Sequence, residues 1–244
     1  MILIISHATI IFADDTTSPI ILDNLLIQNK RENVLISHVK DSVSKAYKES
    51  SKLTNKALLI TGMSSPKVRH LLNNLCSLPG TNYLEIGVWQ GSTWVSALFG
   101  NNASISSATA IDDWSEFSGP KNQFFANCKK FLPNFPCKFY SANCFDLDVE
   151  SIISKPINIY FYDGNHTSFS HELAFTHYDS ILDDVFIAVV DDWIWDKVQD
   201  GTRAAFQKLN YNVLYEIALA TERTNDVDNW WNRLYVAVIS KHKN

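Results

Sequence analysis

The sequence predicts an α/β fold: a doubly wound seven-stranded sheet, mostly parallel, with a C-terminal antiparallel strand. Three observations carry this. Short apolar runs alternate with amphipathic helical stretches over residues 64–209, as parallel strands joined by helical crossovers require. The first five runs each end in polar or glycine punctuation, at Gly87, Asp112-Asp113, Asn143-Cys144, Asp163-Gly164 and Asp191-Asp192. The tail holds two β-rich runs, 212–217 and 234–240, joined by the polar loop 221–228; such a loop suits a hairpin, so the last strand should run against the others.

Taken in order, the chain opens on MILIISHATIIFADD. This run lacks a basic leader and is interrupted by His7 and Thr9, so a strand or helix packed on the domain or on a second subunit is expected rather than a signal-peptide core. It is too short to span a bilayer. Residues 29–56 turn charged, with Val34, Ile36, Val39, Val43 and Tyr47 at roughly helical spacing. Residues 1–60 are therefore read as a helical N-terminal extension, a cap or an oligomer contact, ahead of a domain over 61–244. Ser65-Pro66 then places an N-cap before a first-turn proline, and Val68, Leu71, Leu72 and Leu75 form the buried stripe of a helix ending near Pro79-Gly80.

The strands follow at 83–86, 108–111, 137–142, 157–162 and 185–190, with helices expected over 119–132, 171–182 and 201–209. At 244 residues and 46% hydrophobic the chain can bury one full core. A formal net charge of -5 without a Lys/Arg run argues against a nucleic-acid groove, which needs clustered basic charge. Cys76, Cys128, Cys137 and Cys144 show no paired spacing, so reduced thiols in a cytoplasmic protein are expected.

The central stretch is TNYLEIGVWQGSTWVS, residues 81–96. A buried strand ends at Gly87, Gly91 follows one turn later, and a helix starts at Ser92. Glycine at a strand end permits a sharp turn and the close approach of a ligand, and unpaired N–H groups at the helix start can hold polar ligand atoms. The spacing Glu-x-Gly-x-x-x-Gly differs from the Gly-x-Gly-x-x-Gly of a dinucleotide site. Asp112, ending the second strand, can accept two hydrogen bonds from a ribose diol, a role that does not by itself separate one nucleoside cofactor from another. Asn143 reads equally as a turn residue. Asp163, Asp191 and Asp192 bring three carboxylates to neighbouring strand ends, an oxygen-rich set suited to a hard divalent ion provided the chain turns between Asp191 and Asp192.

Residues 81–96 resemble motif I of the class I S-adenosylmethionine (AdoMet)-dependent methyltransferases. The run FYDGNHTSFSHE, followed a helix and a strand later by VVDDWIW, resembles the Mg²⁺-dependent, macrocin-type sugar O-methyltransferase branch. The likeness spans roughly residue 64 to the end; Asp183-Asp184 stands where relatives often carry glycines, and the first sixty residues match nothing in that family. The resemblance implies a Rossmann-like fold and a cofactor site comprising Glu85 (toward the methionine amino group), Gly87, Gly91, Ser92, Asp112, Asn143 and Cys144 (bordering adenine) and Asp163. It further implies Mg²⁺ ligation by Asp163, Asp191 and Asp192, with His166 as the base.

The chemistry then expected is methyl transfer to a hydroxyl of a small molecule, with the cation favouring the alkoxide and an imidazole taking the proton. The alternatives are a metal-independent methyltransferase and a non-catalytic AdoMet-binding assembly subunit. A small hydroxylated partner, no nucleic acid, no membrane and a homo-oligomer built through the N-terminal extension complete the expectation.

Overall fold

The computed structural model describes the backbone of residues 2–6, 9–13 and 19–241 and the side chains of 26–241. Strands β1 (Ile2–Ser6) and β2 (Thr9–Ala13) form a two-stranded antiparallel sheet, so the opening run is a hairpin. What its side chains pack on lies outside the described residues. Helix α1 (Pro19–Tyr47) follows, then the short α2 (Asn55–Leu58). On α1 the buried stripe is Leu35, Val39, Val43 and Ala46, with Ile36 at its edge. Val34 and Tyr47, expected on that stripe, are exposed; Tyr47 instead meets the Trp230 ring edge-on at 5.1 Å.

Helix α3 (Pro66–Leu75) starts as its sequence dictates, the Ser65 hydroxyl accepting from the Val68 amide. The main sheet then forms from β3 (Thr81–Ile86), β4 (Ile105–Ile111), β5 (Lys138–Tyr140), β6 (Ile157–Tyr162), β7 (Leu182–Val190), β8 (Asn212–Leu219) and β9 (Leu234–Ser240). Its seven strands lie in the order β5-β4-β3-β6-β7-β9-β8. The pairings from β5 to β7 are parallel, and β9 runs antiparallel to both its neighbours, as the tail hairpin predicts.

Strand periodicity divides the core in two. Tyr83, Ala108, Ala110, Ile159, Phe161, Ile187, Val189 and Val236 face a layer of α1, α3, α4 (Ser92–Leu98) and α5 (Lys121–Phe131). Leu84, Ile86, Tyr160, Tyr162, Phe186, Ala188 and Tyr235 face α6 (Val149–Ile152), α7 (Ser168–Thr176) and α8 (Asp196–Lys208). Helices thus cover both faces, and the sheet is doubly wound.

Three helix starts differ from the sequence reading: α1 begins at Pro19, ahead of the stretch 29–56, and α7 and α8 also begin earlier than expected. Helix α7 begins at Ser168 because the Thr167 hydroxyl accepts from the Ser170 amide, and it ends at Thr176 before a short 3₁₀ turn, Asp179–Ile181. Helix α8 begins at Asp196, and Gly201 lies inside it because α7 crosses there: a Cβ on Gly201 would stand 2.1 Å from the Ser168 carbonyl oxygen. Among the described residues, no helix is long and apolar enough to cross a membrane.

Candidate active site

The parallel register puts five loops on one edge. Ile86 pairs with Ile111 and Tyr162, Ile111 with Tyr140, and Tyr162 with Val190, so Gly87, Asp112, Asp163 and Asp191 all leave the sheet at one level. The ladder runs one bond further: Gly87 N donates to Ile111 O, Asp163 N to Ile86 O, and Asp191 N to Tyr162 O. A cavity of about 700 Å³ opens over this row.

Gly87 has φ +83, and a Cβ there would lie 1.9 Å from the Asp163 carbonyl oxygen. The glycine is therefore demanded by the backbone after the neighbouring strand, whatever ligand approaches it, and it also lines the cavity. Past it, Asp112 braces the turn: Oδ2 accepts from Val88 N and Trp89 N, each at 2.8 Å, and Oδ1 accepts from Trp114 N at 2.7 Å. Three of the four lone-pair positions of the carboxylate are thus used by the protein, and Asp112 also lines the cavity.

Three residues expected in the cofactor site do not line the cavity. Glu85 shares its sheet face with Tyr83 and is fully buried beneath α4, accepting from the Tyr83 hydroxyl at 2.7 Å and from the Thr93 hydroxyl. Burial pushes its carboxyl up to about 8. Gly91, φ +84, packs on Phe124, where a Cβ would come within 2.9 Å of the ring. Ser92 turns inward to meet Ser64 Oγ at 3.3 Å. All three serve the strand-to-helix turn. Asn143 and Cys144 do line the cavity. The Asn143 side chain accepts from Phe145 N at 3.0 Å in a local turn, and burial pushes the Cys144 thiol up to about 12.

On the other side of Gly87 lies the acidic cluster. Asp192 adopts φ +57, the turn that two consecutive acids need in order to converge. Ligand atoms of Asp163, His166 and Asp192 lie within 4.8 Å of one another, and His166 Nε2 is 2.9 Å from Asp192 Oδ2. Asp191 lies outside this trio and is 2% exposed; its Oδ1 is buried without a hydrogen-bond partner among the described residues. Burial, and then the charges of Asp191 and Asp192, hold the Asp163 carboxyl well above the usual carboxylate range; burial and Asp192 do the same to Asp191. His166 Nδ1 is also buried without a partner, and Trp195 lies 5.3 Å from the imidazole, ring to ring. His171, deeper in α7, is kept neutral by burial, its pKa lowered to about 3.

The sequence reading assigned no site residue to the third wall. Residues Thr224, Asn225, Trp231 and Asn232 from the β8–β9 loop line the cavity, as do Met63 and Trp89. Asn232 is 5% exposed; its Nδ2 donates to Asp192 Oδ1 at 2.6 Å, and its Oδ1 accepts from Asn225 N at 2.6 Å. No local pattern signals such a contact, which joins residues forty positions apart. Among the described residues, six acids (Asp112, Asp113, Glu116, Asp163, Asp191 and Asp192) line the cavity and neither Lys nor Arg does. This environment fits a cation: the orphaned Asp191 Oδ1 and the raised carboxyls want positive charge, and among the described residues no lining Lys or Arg supplies it.

No family model matches the sequence, and no curated protein matches it. Solved structures do match the fold. An O-methyltransferase from Bacillus cereus in complex with SAH superposes with a TM-score of 0.53 at 10% identity, over 83% of this chain and 90% of that one. TomG from Streptomyces achromogenes, an O-methyltransferase involved in tomaymycin synthesis and solved with SAM, gives 0.53 at 15%, over 83% and 89%. A proposed RNA methyltransferase from Pyrococcus horikoshii gives 0.52 at 11%, over 85% and 100%. At these identities the likeness is one of fold, the Rossmann-like methyltransferase fold.

Proposed function

We propose that this protein is an AdoMet- and Mg²⁺-dependent O-methyltransferase acting on a hydroxyl of a small molecule, sugar or natural product in type. The observation that carries the reading is the cavity at the strand ends, acid-lined and free of Lys and Arg, with Asp163, His166 and Asp192 gathered on one side of it. The other side, over Gly87, Asp112, Asn143 and Cys144, suits a nucleoside. Its volume of about 700 Å³ falls in the range of small-molecule sites. A phosphodiester acceptor suits it poorly, because among the described residues no Lys or Arg lines the cavity to neutralise a phosphate.

Bound AdoMet supplies a methyl group on a cationic sulfur, and bound Mg²⁺ supplies Lewis acidity toward a hydroxyl oxygen. Asp112 would take the ribose through its remaining lone pair, with Asn143 and Cys144 bordering the base. Asp163 and Asp192 would hold the cation, joined by Asp191, since a hard ion prefers carboxylate oxygens to an imidazole nitrogen. That leaves His166 to take the acceptor's proton. With Nε2 at 2.9 Å from Asp192 Oδ2 and Nδ1 buried, the imidazole would have to turn to offer its lone pair to an acceptor in the cavity. The Trp195 and Trp231 rings would exclude water from that side.

Residues 61–244 are assigned to the catalytic unit and 1–60 to a cap or oligomer contact; α1 packing along β9 and α3 favours the cap. A cytoplasmic protein suits the cofactor, which is made there. The test is mass spectrometry of a metabolite extract incubated with enzyme, Mg²⁺ and methyl-labelled AdoMet. Label should enter a low-mass product, EDTA should abolish transfer, and His166→Ala should lower turnover ~10²–10⁴-fold with AdoMet affinity retained. Undiminished transfer in excess EDTA would favour a metal-independent methyltransferase. AdoMet binding without transfer to any acceptor would favour an assembly subunit.

A further inference from the structure

The loop between β8 and β9 carries more internal structure than a hairpin connection needs. Asp226 accepts from the side chains of Thr221, Asn229 and Arg223, and its backbone pairs with that of Trp231. The loop is also stitched to the chain after β7, where Trp193 N donates to Arg233 O and Ile194 N to Asn232 O. At the junction lies Asn232, one face of its amide on Asp192 and the other on the Asn225 backbone. Only one amide orientation serves both partners: a carboxylate needs the NH₂ and a backbone N–H needs the oxygen.

We propose that Asn232 is a positioning residue that latches the 221–233 loop to the acidic cluster, so that loop seating and cation affinity are coupled. The inference rests on the cation reading given above. Asp192 has one oxygen toward His166 and the other toward Asn232, so Asn232 holds the carboxylate in the orientation that faces Asp163. A cation that fixes Asp192 must then steady the loop, and a seated loop must favour the cation by the same factor. Thr224, Asn225 and Trp231 ride on that loop as cavity wall, so the acceptor side closes most firmly on a cation-loaded protein.

The test uses Mn²⁺ as the probe, with affinity read by electron paramagnetic resonance and loop order by hydrogen exchange at the Asn225 amide. In the wild type, Mn²⁺ should slow that exchange. Asn232→Asp keeps the acceptor for Asn225 but sets a carboxylate against Asp192; it should weaken Mn²⁺ ~10–100-fold, the range for losing a group that orients a metal ligand. Its Asn225 exchange should no longer respond to Mn²⁺. Asn232→Ala, which adds no charge, should do the same and speeds exchange outright. The exchanged pair Asp192→Asn/Asn232→Asp restores an amide–carboxylate bond, so it should recover slow exchange while Mn²⁺ affinity stays low. Wild-type Mn²⁺ affinity in both single variants, or exchange in the wild type that ignores bound Mn²⁺, overturns the coupling. Should Mn²⁺ fail to bind the wild type while the variants still loosen the loop and the exchanged pair restores it, the latch stands and the cation reading falls.

Discussion

Asp112 and Asp191 leave the same sheet at the same level, each the first residue past a parallel strand, yet their surroundings are opposite. Asp112 is partly exposed and accepts three backbone N–H bonds, which bind the Gly87 turn to the next loop. Asp191 is 2% exposed, has an orphaned oxygen, and has Asp163 and Asp192 beside it with no lining cation. One acid is consumed by the fold; the other burdens it. Position in the topology offers a residue to the site, and its hydrogen-bond balance tells whether it is spent on structure or held for a ligand.

The largest expected effect breaks the architecture that both acids share. Gly87→Val sets a Cβ against the Asp163 backbone at 1.9 Å, at φ +83, where a β-branched residue is strained. Backbone cannot yield as a flexible side chain would, so the loss should be at least ~3 kcal/mol, a fall in melting temperature of roughly 6–12 °C or failure to fold. Gly91→Ala meets only the edge of the Phe124 ring and should be milder. A melting curve for Gly87→Val near that of the wild type would mean that β3 and β6 do not approach as described.

A smaller effect, of opposite sign, should come from Asp191→Asn. The folded carboxyls of Asp163 and Asp191 sit well above 3.8, so the fold binds more protons than the unfolded chain above that pH. The associated stability is full below about pH 3.8 and is lost as pH rises toward the folded values. Metal-free wild type should therefore melt lower at pH 8 than at pH 5. Asp191→Asn should flatten that slope and gain about 1–2 kcal/mol at pH 8 while losing transfer activity, the exchange expected at a functional site. Mg²⁺ should raise the wild-type melting point at pH 8 and the variant's less. Destabilisation of Asp191→Asn at pH 8 would show that the charge is held by partners after all.

The fold was legible because strand burial follows a period of two and the punctuation after each run marks a strand end: Tyr83 through Ile86 and Ile157 through Tyr162 stand where the pattern put them. Helix starts were less so. Thr167 caps α7 through a hydroxyl that resembles any loop threonine, and Gly201 reads as the start of its helix until α7 is seen crossing it. In the site, sequence found which residues share an edge, since topology dictates that. It could not tell that Glu85 faces the helix layer or that Gly91 and Ser92 turn inward, because those orientations depend on Thr93, Phe124 and Ser64. Asn232 was invisible for the same reason: its meaning is a contact with Asp192, made only when the tail folds back.

The smallest effect sharpens the comparison most, because Asp112 is offered two roles. As a brace, its carboxylate receives Val88 N, Trp89 N and Trp114 N; as a ligand group it has one lone pair left for a ribose hydroxyl. Asp112→Asn separates them. The amide presents one oxygen and one NH₂, and the NH₂ cannot accept, so at least one of the three backbone donors loses its partner. The site is partly exposed and water can replace that bond, so the loss should be only about 1 kcal/mol, roughly 2–4 °C in melting temperature. AdoMet affinity measured by calorimetry should fall about tenfold, through the turn and the lost ribose acceptor together. Asp113→Asn, on an exposed neighbour whose Oδ1 only serves Ser115, should change neither quantity. If Asp112→Asn lowers the melting point with AdoMet affinity intact, Asp112 is a brace alone and the ribose is held elsewhere. If affinity falls with the melting point unmoved, the three N–H bonds contribute nothing to the fold, and the contrast with Asp191 fails.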